Sequence, residues 1–147
     1  MTSDPPRQPY LRWSDRFMVG VERLDADHRA IVDLINDACS AWTERRQEEL
    51  EQVLQRLLEL AAAHFEYEEQ ILCQIPGYTA LKTHAGEHRN RLAQLQRILD
   101  DVCGGQDEGA KVPLPDILVD WFIKQSIGHD AAIKGYFDEG SLRRGRA

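Results

Sequence analysis

The chain has 147 residues, 42% of them hydrophobic and 29% charged, which suits one folded domain with a core of its own. Its 25 acidic residues outnumber the 18 basic ones, for a formal charge of −7, so nucleic acid, which is bound by clustered Lys and Arg, is excluded as an expected partner. No apolar run reaches membrane-spanning length and the N-terminal MTSDPPRQPY lacks the apolar centre of a signal peptide, so no membrane partner is expected and the cytoplasm is the expected compartment.

Residues 1–12 hold three of the six prolines and no periodic pattern, and are expected to form an extended N-terminal arm. Trp13, Phe17, Val19 and Val21 then alternate around Gly20, as a segment laying its aromatic rings over the end of a bundle would. From about Glu22, Leu24, Ile31, Leu34, Ile35, Ala38 and Trp42 recur at helical spacing, with His28 on the same stripe. The polar stretch from Arg45 to Glu49 marks a turn or helix start. Leu50, Val53, Leu54, Leu57, Leu58, Leu60 and Ala61 carry a second helix through His64, Phe65, Glu68, Ile71 and Leu72, to stop before Pro76. Of the neighbouring acids only Glu68 lies one turn beyond His64, so Glu66 and Glu69 read as a solvated face.

A third helix is expected from near Thr79 through His84, His88, Leu92, Leu95, Ile98 and Leu99, and residues 103–115, rich in Gly and Pro, form a loop. The fourth helix follows with Ile117, Leu118, Trp121, Phe122, Gln125, Asp130, Ile133 and Phe137. Gly140 closes it, and Arg143, Arg144 and Arg146 lie in a basic, flexible tail over 139–147. With no strand pattern and short connections, the economical fold for residues 13–138 is an all-α, antiparallel, up-down-up-down four-helix bundle. Cys39, Cys73 and Cys103 match no CxxC spacing; the first two are expected to be small buried hydrophobes and the third to be more exposed.

The chemistry is concentrated between His64 and His88. His64 and Glu68 are four residues apart, as are His84 and His88, so each pair stacks on one helical face. Pro76 and Gly77 separate the two helices, which makes them antiparallel with both pairs aimed at one core. Once His28 joins from the first helix, four of the five histidines meet a glutamate there. Such ligands suit iron, zinc, copper or manganese. The alternative is a set of surface histidines on a helical protein. Ferritin-like centres use paired Glu-x-x-His elements, which are lacking here, and HAGEH places its glutamate wrongly for the HExxH zinc motif.

The ordered set of His28, then His64-Phe65-x-x-Glu68-Glu69, then His84-x-x-x-His88, then an Asp on a Trp-bearing last helix resembles the hemerythrin family, from about Trp13 to Phe137. Val19-Gly20-Val21, Asp25-x-x-His28 and Pro76-Gly77-Tyr78 agree with it, and the chain is similar to the bacterial single-domain members. The resemblance implies two iron ions, non-haem and carboxylate-bridged, that bind dioxygen. His28 and His64 would hold one iron, His84 and His88 the other, and Glu68 and Asp130 would bridge them. It implies a carrier, store or sensor of dioxygen or another small diatomic, rather than an enzyme. Two alternatives remain: a small oxidoreductase acting on peroxide or nitric oxide with an electron donor, and a regulatory bundle that senses metal or redox state.

The fourth helix departs from the family pattern, which has a histidine five residues before the bridging Asp. Gln125 stands at that place, Ser126 replaces an apolar residue that helps line the oxygen pocket, and Phe122 replaces a leucine. The fifth histidine is His129, beside Asp130. At ~100° per residue it points inward between Gln125 and Asp130, but ~6 Å further along the axis than Gln125. Three outcomes stay open: His129 ligates iron after a local bulge at Gly128, the position is vacant, wet or held by Gln125, or His129 lies outside the ligand set. The departure implies weaker iron binding and a shorter-lived oxygen adduct than a standard member has.

Overall fold

A computed structural model describes residues 10–77, 80–104 and 112–125. His129, Asp130, Tyr78, Thr79 and the 139–147 tail, together with most of the arm, lie outside the described residues. A short 3-10 turn, Asp15–Phe17, leads into α1 (Glu22–Thr43), α2 (Gln47–Leu72), α3 (Leu81–Cys103) and α4 (Leu114–Ile123). Among the described residues there is no strand. The chain is an all-α antiparallel four-helix bundle, as its periodicity predicts.

Each helix buries one stripe. On α2 it runs through Leu50, Leu54, Leu57, Ala61, His64, Glu68 and Leu72, all buried, so two steps of an otherwise apolar seam carry polar side chains. On α1 the stripe is Leu24, His28, Ile31, Ile35 and Ala38, and on α3 it is His84, His88, Leu95, Leu99 and Val102. On α4, Leu118, Trp121 and Phe122 lead to Gln125, which is only 3% exposed. Every polar candidate among the described residues thus occupies a core position of the bundle. The apolar steps hold the helices together, each fully buried leucine contributing roughly 1.5–3 kcal/mol.

The connections have local causes. α1 ends in two reversed bonds, Arg46 N to Ala41 O at 2.8 Å and Arg45 N to Trp42 O at 3.2 Å. Arg45 takes the left-handed φ of 57° that this stop requires, a place where glycine is usual. α4 starts at Leu114, ahead of the expected Ile117, because Pro113 precedes it and Pro115 sits in the first turn, where a missing N–H costs nothing. The last described turn, Lys124–Gln125, widens to an i→i+5 pattern.

The segment before α1 is pinned at several points. Asn36 pairs with both backbone groups of Leu11, at 2.8 and 2.9 Å, and Leu11 is buried. Gly20, with φ of 89°, turns the chain into α1, and the Asp25 carboxylate accepts from Val19 N at 2.7 Å and Gly20 N at 3.3 Å. That clamp fixes Phe17 beneath the bundle end, where its ring meets Trp13 and Phe122 edge-on, with centroids 5.5 and 4.9 Å away.

Cys73 corrects the expectation of a buried thiol. It is exposed, because Leu72 closes the buried stripe of α2 and Cys73 caps the helix where the chain turns outward. Cys39 is fully buried, and burial, with Asp116 nearby, pushes its thiol up to about 12. Thiol titration of the native protein at pH 8 is therefore expected to label Cys73 and Cys103 and to leave Cys39 unlabelled until denaturant is added; rapid labelling of Cys39 in the native state would contradict the observed core.

Candidate metal centre

Three helices supply five side chains to one point. His28 comes from α1, His64 and Glu68 from α2, and His84 and His88 from α3, and all five are buried to 5% exposure or less. The i,i+4 spacing on α2 and α3 stacks each pair along a single face, which the bundle turns inward. The side chains form two trios, His28–His64–Glu68 and Glu68–His84–His88, whose donor atoms lie within 4.8 Å of one another in each. An ion bound to N and O at roughly 2.0–2.2 Å sets its ligands roughly 3–4 Å apart, so both trios are of a size to hold one.

Glu68 belongs to both. Its Oε1 lies 2.5 Å from His84 Nε2 and 3.1 Å from His88 Nε2, and its Oε2 lies 3.5 Å from His64 Nε2. Burial pushes the Glu68 carboxyl up, but contacts with His84, His88 and His64 outweigh it and hold the group below the usual carboxylate range. The side chain is thus kept ionised, the state in which both oxygens act as ligands.

The outer nitrogens of three rings are committed elsewhere. His28 Nδ1 lies 2.5 Å from the Phe17 carbonyl, His64 Nδ1 3.1 Å from Asp27 Oδ2, and His88 Nδ1 3.2 Å from Glu69 Oε2. A carbonyl only accepts, and a carboxylate accepts readily, so each of these contacts suits a ring that donates from Nδ1, the tautomer that leaves Nε2 able to serve a metal. His28 Nε2 and His64 Nε2 face each other 3.1 Å apart, close enough to share one ion. Glu68 Oε2 and His88 Nε2 are buried without a well-directed hydrogen bond. Ring nitrogens and carboxylate oxygens converging in a buried core fit a cation, and the ligand set suits a transition metal.

Aromatic rings close the surroundings. Phe65 stacks on His88 with centroids 4.1 Å apart and planes 8° from parallel. Phe122 stands edge-on to His28 at 6.1 Å. Leu24 and Leu72 are fully buried on the same stripes.

The comparisons agree with this arrangement. Residues 19–125 match the family model described as the hemerythrin HHE cation binding domain. The chain belongs to the hemerythrin family. Among curated hemerythrin relatives, the bacteriohemerythrins of Pseudomonas aeruginosa strains are 25% identical over 129 residues, 88% of this chain and 80% of theirs. The bacteriohemerythrin of Stenotrophomonas maltophilia is 23% identical over 122 residues, covering 83% of this chain and 78% of its own. A crystal structure of a hemerythrin with a leucine-to-tyrosine substitution aligns with a TM-score of 0.74 at 21% identity, over 87% of this chain and 97% of the other.

The structure brings together five of the eight candidate residues, His28, His64, Glu68, His84 and His88. Gln125 is buried at the core-facing end of described α4, while His129 and Asp130 lie outside the described residues. One expectation is overturned. Glu69 is not simply solvated: its side chain is 32% exposed and its carboxylate meets His88 Nδ1. One residue past Glu68, it lies ~100° around α2, at the seam with α3. Asp27 and the Phe17 carbonyl were also missed. The Asp-His dipeptide at Asp27–His28 hinted at the first, whereas a backbone carbonyl leaves no sequence signal. Glu68→Gln, which keeps the side-chain volume but removes the charge, is expected to cut retained metal by at least half while helix content by circular dichroism holds. Glu66→Gln, on the exposed face of α2, is expected to leave metal content unchanged, and equal losses in both would contradict the inward role of Glu68.

Proposed function

We propose that this hemerythrin-family chain is a non-haem di-iron protein that binds dioxygen in its bundle core, with His28 and His64 on one iron, His84 and His88 on the other, and Glu68 bridging them. The observation that carries the reading is the placing of the two Glu68 oxygens toward separate histidine pairs. A pair of ferrous ions, when bound, supplies the electrons and the open coordination position that a diatomic ligand needs. The chain's own part is to hold them: the carboxylate offsets positive charge, and the imidazoles fix the ions without filling every position. Phe65, Phe122, Phe17 and Leu24 keep bulk water from the site, which favours release of the ligand unchanged over loss of charge to solvent. Asp130 as a second bridge, and His129 or Gln125 as a further ligand, belong to the same proposal. The bacteriohemerythrin relatives are consistent with such a role.

One observation favours a second reading. Within the described residues each trio consists of two imidazoles and a shared carboxylate, a donor set known from iron sites with several open positions. With Gln125 at a core-facing place, an oxidoreductase acting on peroxide or nitric oxide, supplied with electrons by a partner, is the alternative. No described helix is long and apolar enough to cross a membrane.

Anaerobic loading with Fe(II), iron quantification and visible spectra on oxygenation separate the readings. Two irons per chain with charge-transfer bands that vanish on degassing are expected, and Gln125→His is expected to tighten iron binding and prolong the oxygenated species. Rapid turnover of peroxide or nitric oxide with a reductant, without a reversible oxygen spectrum, would favour the enzyme instead. Absence of bound iron would overturn both.

A further inference from the structure

Two carboxylates stand just behind the cage. Asp27 precedes His28 on α1, and Glu69 follows Glu68 on α2. Each is therefore ~100° around its helix from a cage residue, at the edge of the inward face. From there each reaches the imidazole of the next helix: Asp27 Oδ2 meets His64 Nδ1 at 3.1 Å, and Glu69 Oε2 meets His88 Nδ1 at 3.2 Å. The same relation is thus built twice, once across the α1–α2 seam and once across α2–α3, with one instance in each trio.

We propose that Asp27 and Glu69 are positioning residues that aim His64 and His88 and set how tightly each half of the centre holds a divalent cation. The inference rests on the reading of the core as a metal centre. A carboxylate accepting from Nδ1 fixes which nitrogen carries the proton, locks the ring's rotation, and raises the electron density that Nε2 offers to a metal. The Phe17 carbonyl does the first two for His28 but brings no full charge. Asp27 and Glu69 place two further carboxylates just behind a cage to which Glu68 contributes the described carboxylate, and so add to the attraction that a dication meets there. Their side chains are 17% and 32% exposed, at the edge of the core rather than inside it.

The competing explanation is that both carboxylates merely brace neighbouring helices. Asp27→Asn and Glu69→Gln distinguish the two, since each keeps the size and an acceptor oxygen and removes the charge. The probe is Co(II), added to the metal-free full-length protein in competition with a chromophoric chelator, with the Co(II) visible spectrum and the metal-free melting temperature read alongside. Each variant is expected to bind Co(II) about 10–100-fold more weakly with a shifted spectrum and an unchanged metal-free melting temperature. The double variant is expected to combine both losses, and Asp33→Asn, exposed on α1, to change nothing. Unchanged Co(II) affinity with a lowered melting temperature would overturn the proposal in favour of bracing. A wild-type chain that takes up no Co(II) would overturn the metal-centre reading, and this inference with it.

Discussion

The ionised carboxylate of Glu68, buried between two pairs of imidazoles, is the interaction on which the rest of the structure turns. An isolated charge in an apolar core is costly, and a bundle of this size could have filled the place with leucine. Here the carboxylate is kept, and four imidazoles are pointed at it from three helices. Four imidazoles around one buried carboxylate, with the Nε2 atoms of His28 and His64 facing each other and three Nδ1 atoms turned out to the Phe17 carbonyl, Asp27 and Glu69, make better sense as a cation cage than as a hydrogen-bonded network. The polar core is therefore better understood as a binding device than as a source of stability.

What allows a marginally stable fold to carry it is the division of labour along the stripes. On α1 and α2 the polar steps cluster at one end of the bundle, leaving Ile31, Ile35, Leu50, Leu54 and Leu57 to form an uninterrupted apolar half. The clamp of Asp25 on Val19 and Gly20 does for the preceding segment what the stripes do for the helices. It holds Phe17 so that one residue supplies a carbonyl to His28 and a ring to Phe122. Local backbone geometry at Gly20 is thereby linked to the orientation of an imidazole eight residues on.

Helix order and the inward set were legible in the sequence because both follow from one periodicity. Residues that continue an apolar stripe must face the core, so His28, His64, Glu68, His84 and His88 declared themselves by position. What depends on the neighbouring helix was not legible. Glu69 looks solvated on α2 alone and becomes a partner of His88 only when α3 is packed beside it. Cys73 looks buried by pattern and is exposed because the helix stops at Leu72. The start of α4 was missed because prolines read as loop, although a first helical turn accommodates them. Gln125, buried and at the widened turn of α4, lies where the sequence departs from the family pattern, a kind of place where local irregularity often accompanies function.

The central claim is that Glu68 stands between two metal ions. The most direct test is a crystal structure of the Fe(II)-loaded protein with anomalous diffraction measured at the iron edge. The account predicts two iron peaks flanking the Glu68 carboxylate, one bound by Nε2 of His28 and His64 and the other by Nε2 of His84 and His88. A single peak, no peak, or iron held away from Glu68 would contradict it.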